Sequence, residues 1–472
     1  MASDKFLECL VEDIAANARN AIVGGPFGSD LVSKDYVLSG VPVIRGANMG
    51  YGRWVSGEFV YVTNEKADSL SSNCARAGDI IFTQRGTLGQ VALIPNGTTE
   101  RYLVSQSQMK LTVDSRKADA LFLYYVFTGA EQQEFIRTNA IQTGVPHTNL
   151  GILKKTPVRL PSLNRQKSIA RILASLDDKI DLNRRINQTL EAMAQALFKS
   201  WFVDFDPVKA KIAAIQEGRD PLRAAMSAIS GKSDAELDAL LREQFGQLAA
   251  TAALFPDEME TSELGEIPRG WGVEPIGSLV ECLGGTTPDT KNPEFWEPGE
   301  YAWTTPKDLS GANSPVLLST ERKISKKGLE KIGSGLLPVG TLLMSSRAPI
   351  GYLAILNIPA AINQGYIAML PGGKLPPHYI YFWCKENIES IKGNANGSTF
   401  LEISKKAFRP LVALKPSNEL LGEFLKRVEL LFSRIVVGEK ESVDLAALRD
   451  SLLPKLLSGE LSVAEAIAET ET

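Results

Sequence analysis

Two stretches of this chain, 262 residues apart, carry one pattern. Residues 77–94, AGDIIFTQRGTLGQVALI, and residues 339–356, VGTLLMSSRAPIGYLAIL, each read as a small residue, glycine, an apolar strand, a polar residue with arginine, a turn, glycine and a second apolar strand. The match extends in order on both sides. VPVIRGANM (41–49) lies over YAWTTPKDL (301–309), VSQSQMKLTV (104–113) over AINQGYIAML (361–370), and ILKKTPV (152–158) answers ISKKAFRP (403–410). Chance similarities do not keep their order while the offset drifts by a few residues, so the chain is two diverged copies of one domain. Whatever fold is built has to be built twice.

Each copy is followed by a segment of another kind. Ile169, Ile172, Leu176, Ile186, Leu190, Met193 and Leu197 recur on alternating three- and four-residue steps, a coiled-coil seam interrupted by Lys179 and Asn183. A buried Asn in such a seam fixes register at some cost in stability. After the second copy Leu421, Phe424, Val428, Leu431, Ile435, Leu445 and Leu452 step in the same way, with a weak point at Gly438 and Ser442. About 40 residues of helix are roughly 60 Å long, too long to pack inside either copy. The two helices are therefore expected to pack on each other and hold the copies apart; the alternative is an internal bundle core. Pro454 is expected to kink or end the second helix. The fold class is α+β: two homologous mixed α/β domains in tandem, separated by two long antiparallel coiled-coil-like helices with pseudo-twofold symmetry. The division is 1–163 for the first domain, 164–205 for the first helix and 206–263 for an insert and linker with one or two short helices. The second domain then takes 264–415, the second helix 416–460 and a tail 461–472.

Composition limits what such a chain does. The 472 residues hold two histidines and four cysteines, and the cysteines lie far apart. No C-x-x-C pair, histidine triad or metal cluster can be assembled from that set. SGKSD (230–234) resembles the end of a phosphate-binding loop, but Met226 stands where that loop needs glycine, and NPEF (292–295) lacks the second proline of an amino-methyltransferase motif. No catalytic residue, no metal ligand and no cofactor site of its own are assigned. No run of about 18 apolar residues occurs, so a cytoplasmic protein without a membrane contact is expected. The net charge of −4 hides an uneven distribution, since residues 1–165 hold 17 Lys+Arg against 15 Asp+Glu and residues 265–415 hold 16 against 13. Two mildly basic copies are compatible with a phosphate-binding face, and equally with charges scattered over a surface.

LFKSWFVDFDP (197–207), TAALFPDEMETSELGEIPRGW (251–271), LRDSLLPKLLSGEL (448–461) and the GGPFGSD and GGTTP turns near the start of each copy resemble the specificity subunit of type I restriction-modification systems over nearly the whole chain. The resemblance implies two target-recognition domains, each reading one half of a split, asymmetric double-stranded DNA sequence. The helices would set the unread gap and dock two methyltransferase subunits, and restriction/translocase subunits would join that core. S-adenosylmethionine, ATP and Mg are then expected on those partners, with no cofactor bound by this chain.

Within that reading, Gln84 and Arg85 at the end of an apolar strand, followed by Thr87 in the GTLG turn, would enter the major groove, where Arg bonds guanine O6 and N7 and Gln bonds adenine in a bidentate manner. Ser346 and Arg347 take the same place in the second copy, with a different base preference. The other reading of each Arg is a partner for a carboxylate that supports the turn. Arg45 and Asn48, with Thr305 and Lys307, follow another apolar strand; Ser105 and Gln106, with Asn363 and Gln364, form a third polar turn. Thr148 and Asn149 in TGVPHTN and Ser398 and Thr399 in NANGSTF lie in polar loops ahead of the Lys154–Lys155 and Lys405–Lys406 pairs. Those lysines are expected on phosphate, or simply in solvent. Trp201, Phe202 and Phe205 and, at the other helix end, Leu453 and Leu457 are expected in part to close the helix pair and in part to receive a methyltransferase subunit. Two rival classes share much of this pattern. A protein-only scaffold would show no DNA dependence, and a self-contained DNA methyltransferase or nuclease would need a cofactor loop or metal carboxylates.

Overall fold

The computed structural model describes residues 6–50, 52–97, 99–142, 146–311, 314–397 and 401–471. The chain forms two compact units, Met1–Leu182 with Ser442–Thr472, and Asn183–Glu441.

In the first unit eight strands build two sheets: β1 (Ile22–Gly24), β2 (Val41–Ile44), β3 (Val60–Val62), β4 (Cys74–Ala75), β5 (Ile80–Thr83), β6 (Val91–Leu93), β7 (Tyr102–Val104) and β8 (Gln108–Leu111). The orders are β1-β8-β5-β6 and β3-β2-β7-β4. IIFT in β5 and QMKL in β8 are buried at every position; IIF reads as a continuous apolar run, whereas QMKL alternates and buries its lysine by donating to the Cys74 carbonyl at 2.7 Å. Helix α1 (Ala120–Thr128) follows, apolar from Phe122 to Phe127 and buried throughout that run. Asp119 accepts a hydrogen bond from the Phe122 amide and starts it. A ribbon of Leu7–Leu10 against Pro157–Leu160 closes the domain and leads into the long helix α2 (Leu163–Phe202).

The second unit repeats the plan. Its strands are β9 (Cys282–Leu283), β10 (Tyr301–Thr304), β11 (Val316–Leu317), β12 (Arg322–Ile324), β13 (Leu342–Ser345), β14 (Leu353–Leu356), β15 (Ala360–Ile362) and β16 (Tyr366–Met369), in orders β9-β16-β13-β14-β11 and β12-β10-β15. Helix α3 (Pro377–Glu386) stands where α1 stands in the first copy, and the closing ribbon is Gly272–Pro275 against Val412–Lys415. The duplication reaches the ladder register. Thr83 faces Gln108 and Ser345 faces Tyr366, while β2 runs parallel to β7 as β10 does to β15. Gln108 is thus equivalent to Tyr366, one residue away from a straight superposition of 104–113 on 361–370, and Gln106 falls on Gln364. Even the differences are partial: β11 pairs parallel to β14 where the first copy keeps a single parallel bridge, Trp54 to Leu93.

The second long helix, α4 (Asn418–Ser458), runs antiparallel to α2 within each unit. In the first unit Ile169, Ile172, Leu173 and Leu176 share a core with Leu452, Leu453 and Leu456, and Arg449 reaches Asp177 at 2.7 Å. The Tyr125 hydroxyl donates to the same carboxylate at 2.6 Å. In the second unit Ala194, Phe198, Trp201 and Phe202 pack with Leu421, Phe424, Val428 and Ile435. Asn183 and Asn187 are buried there, and their amides donate to Glu441 and Glu439 at 3.0 and 2.8 Å. The expected seam is displaced in this half. Ile186 and Met193 are 45% and 54% exposed, because the buried face turns toward the aromatic cluster around Phe198. Gly438 makes room for Asn187, whose Oδ1 would lie 2.8 Å from an added Cβ.

Pro454 sits inside α4, which ends close behind it at Ser458; the carbonyl it leaves without an amide belongs to exposed Asp450, within reach of water. Two further expectations change. The insert holds four helices, Asp206–Gln216, Pro221–Ser230, Asp234–Asp238 and Arg242–Ala253, around Ala225, Met226, Leu237 and Ala252, then a hairpin of Met259–Ser262 and Gly265–Pro268. The tail carries a helix, Val463–Glu471. All four cysteines are free thiols. Among the described residues no helix is long and apolar enough to cross a membrane, and no group of three His, Cys, Asp or Glu side chains is placed to hold a metal.

Candidate nucleic-acid interface

Each copy gathers the ends of three segments at one place. Beyond β5 the Gln84 and Arg85 amides donate to the Ser107 carbonyl at 2.7 and 3.2 Å, in the turn after β7. On the other side the Thr148 amide donates to the Gln84 carbonyl at 3.0 Å, and Arg85 forms a bridge with His147. His147 in turn pairs with Ile141. The second copy repeats this backbone. The Ser346 amide donates to the Gly365 carbonyl at 2.8 Å and the Ile403 amide to the Ser346 carbonyl at 3.0 Å; Arg347 bridges Glu402, which pairs with Asn396.

The double-glycine turns complete the cluster by close approach. A Cβ on Gly25 would meet the Ser105 carbonyl oxygen at 1.9 Å, and one on Gly285 the Ile362 carbonyl oxygen at 1.9 Å, so no other residue fits either place. Thr287 donates to the Gln364 side-chain oxygen at 2.6 Å and ties the GGTTP turn to the turn after β15. The Lys405 ammonium lies beside Gly284 in the same turn. After each arginine the backbone takes a positive φ, +100° at Gly86 and +51° at Ala348, and so leaves the sheet abruptly.

The side chains filling the two frames differ. Arg85, Thr87 and Gln106 are exposed and Gln84 is half-buried. Among the described residues Arg85 has no carboxylate partner. Arg347 lies 3.6 Å from Glu402 with both side chains partly exposed. Ser346 is 3% exposed with its hydroxyl unpaired, so it supports the turn from inside and is withdrawn from the surface. Asn363 accepts the Gly365 amide at 2.9 Å, and the Ser105 hydroxyl donates to Gln108. Gln364 remains exposed.

Several candidates are occupied by the fold. Asn48 is fully buried and accepts the Arg45 amide while donating to the Ser56 and Glu58 carbonyls. Asn149 accepts the Ile152 amide and caps the helix Leu150–Lys154. Thr305 donates its amide to Asp308 at 2.8 Å, Thr148 is buried, and Lys307 pairs with Glu321 at 2.8 Å, which raises the lysine's pKa. Arg45 is half-buried beside Asn48, between Ile44, whose carbonyl accepts the Ser105 amide at 3.0 Å, and Gly46, which lies near Gln108, so it adjoins the turn after β7. Lys154, Lys155 and Lys406 are exposed, and Lys405 is half-buried. Ser398 and Thr399 lie outside the described residues. His147 and Glu402 are not singled out by the sequence; each bridges the arginine of its own copy, from a distant part of the chain.

The aromatics expected to receive a partner are core. Trp201, Phe202 and Phe205 are 0%, 3% and 8% exposed, packed edge-on against Phe255, Phe424 and Trp271. The end of α4 differs: Leu453 and Leu457 line a cleft of about 800 Å³ in the first unit, with Val126, Gly129, Pro157 and Arg449.

Comparison with known proteins agrees with this duplication. The family model described as the type I restriction modification DNA specificity domain matches twice, at residues 40–192 and 268–415. The chain is 30% identical over 450 residues to the type I restriction enzyme HindI specificity subunit of Haemophilus influenzae, covering 91% of this chain and 97% of that protein. It is 24% identical to the MjaIX specificity subunit of Methanocaldococcus jannaschii, over 86% and 85%. The crystal structure of a type I restriction-modification S subunit from M. genitalium shares the fold at a TM-score of 0.50 and 16% identity, covering 97% of each chain.

Proposed function

This chain belongs to the type I restriction-modification DNA specificity family, and from that premise we propose that its two domains each read one half of a bipartite, asymmetric DNA site through the strand-end clusters at Gln84–Arg85 and Ser346–Arg347. The chain is the sequence-specific recognition subunit of such a system and leaves the chemistry to others. The observation that carries the two-domain reading is the repeated backbone frame, which presents different exposed polar groups from the same place in each copy. Arg85, Gln84 and Gln106 in one copy and Arg347, Gln364 and Glu402 in the other can address base edges, whereas exposed Lys154, Lys155 and Lys406 are suited to phosphate.

Two methyltransferase subunits would dock along α2 and α4, with restriction/translocase subunits joining them. The α4 end supports one such contact, because Leu453 and Leu457 face an open cleft, while the end of α2 is covered by Phe255 and Trp271 from this same chain. S-adenosylmethionine, ATP and Mg would then reside on those partners. A flipped adenine suits the division of labour, since the reader has only to hold the duplex in place.

The test is adenine-methylation mapping at single-base resolution in cells expressing the chain with candidate methyltransferase partners. A split motif is expected. Methylation without any split motif contradicts the two-half reading, and no DNA dependence would favour the protein-only scaffold.

A further inference from the structure

We infer that Arg347 and Glu402 act as one specificity-determining couple in the second domain, selecting a G·C base pair in the half-site that domain reads. The inference rests on the two-half reading above and adds the partner, Glu402, and the class of base pair. The two residues come from segments 55 positions apart and are set side by side by backbone, not by their own attraction. Arg347 is fixed at the end of β13 through the Ser346 amide, and Glu402 is held by two 2.9 Å backbone hydrogen bonds with Asn396. Their charged groups are 3.6 Å apart, 36% and 45% exposed. That separation exceeds a hydrogen bond, so guanidinium donors and carboxylate acceptor both stay available while each cancels the other's charge.

The arrangement matches one base-pair edge. In the major groove a G·C pair presents N7 and O6 as acceptors on guanine and the N4 amino group as a donor on cytosine. A guanidinium beside a carboxylate offers donors followed by an acceptor, the complement of that series. An A·T pair presents N7, the N6 amino group and O4, which would set an amino group against the guanidinium and a lone pair against the carboxylate. The fixed order of the two groups also distinguishes G·C from C·G. In the first domain the same bridge is made by Arg85 with His147. No carboxylate stands there among the described residues, so the two half-sites need not share this pair.

Glu402 is removed without touching the core, so Glu402→Gln and Glu402→Ala serve as a pair of variants in the intact complex, with thermal melting to show that both remain folded. Methylation mapping of the wild type should show a G·C pair in the half that Arg85→Ala leaves sharp. Both Glu402 variants should relax that one pair by about 10- to 100-fold, the range of one bidentate contact, with every other position unchanged. Glu402→Gln, which adds a donor, should admit a pair carrying an acceptor at cytosine's place. A motif that stays as sharp as wild type in both variants overturns the couple, as does relaxation in the other half. A wild type without a split motif would instead overturn the two-half reading itself.

Discussion

The two strand-end clusters are built on one backbone and finished differently. The bonds that Gln84 and Ser346 donate to Ser107 and Gly365, and those they accept from Thr148 and Ile403, are equivalent in the two copies. On that shared frame Arg85 is exposed without a carboxylate partner among the described residues and Gln84 is half-buried, whereas Arg347 lies beside Glu402 and Ser346 is buried. The position of the reading groups is thus set by main-chain hydrogen bonds, which are indifferent to side chain. Their chemistry is set by residues that bear little of the fold. A domain of this design can change what it reads without changing how it folds. The ends of the long helices show the same contrast on a larger scale: that of α2 is sealed by its own chain, while that of α4 opens into a cleft.

The comparison can be broken most severely at the sealed end. Trp201→Ala removes a fully buried indole packed on Phe255 and Phe424 and is expected to destabilise the second unit by about 3–5 kcal/mol, read by thermal or denaturant unfolding. Leu457→Asp at the open end should change the melting temperature little and weaken assembly with the methyltransferase, measured by co-purification; the reverse pattern would mean that the sealed and open ends are interchanged. Next in size is Gly285→Ala. Its Cβ has to displace the Ile362 carbonyl, so the second half of the motif should blur while the first stays sharp on the methylation map.

Smaller effects sharpen the contrast. His378 packs edge-on to Phe432 at 4.6 Å, and burial pushes its pKa down to about 4. The folded state therefore favours neutral imidazole. The stability this residue confers is complete above its unfolded pKa of about 6.5 and is lost as pH falls from there toward 4. His378→Phe should flatten that part of the unfolding profile of the second unit by about 1–2 kcal/mol, and an unchanged profile would mean the imidazole is hydrated. Smallest is the lysine pair. Lys154→Ala with Lys155→Ala should weaken DNA binding evenly across sequences and reduce the salt slope by about one for each phosphate no longer neutralised, without altering the motif.

What could be read in the sequence follows from the range of the forces involved. The duplication, the two long helices and the buried Asn183 are periodic or repeated features, visible without coordinates. Gln84, Arg85 and Arg347 are marked by the end of an apolar run and the turn behind it. Asn48, Asn149 and Thr305 show the limit: small polar side chains that could bond a base also bond backbone amides at turns and helix starts, and here the local bond takes them. Trp201 and Phe202 show a second limit, since a large aromatic suits an interface and a core equally well. Glu402 escapes a reading of the sequence because its importance lies in a bridge to Arg347, 55 positions away, and pairing at that separation leaves no local pattern.

The central claim is that each domain reads its own half-site. It is tested most directly by single-base adenine-methylation mapping of the complex with Arg85→Ala beside wild type. The account predicts a split motif in which one half loses or relaxes a base while the other is untouched. A motif unchanged in the variant would return Arg85 to turn support, and equal relaxation of both halves would contradict independent reading by the two copies.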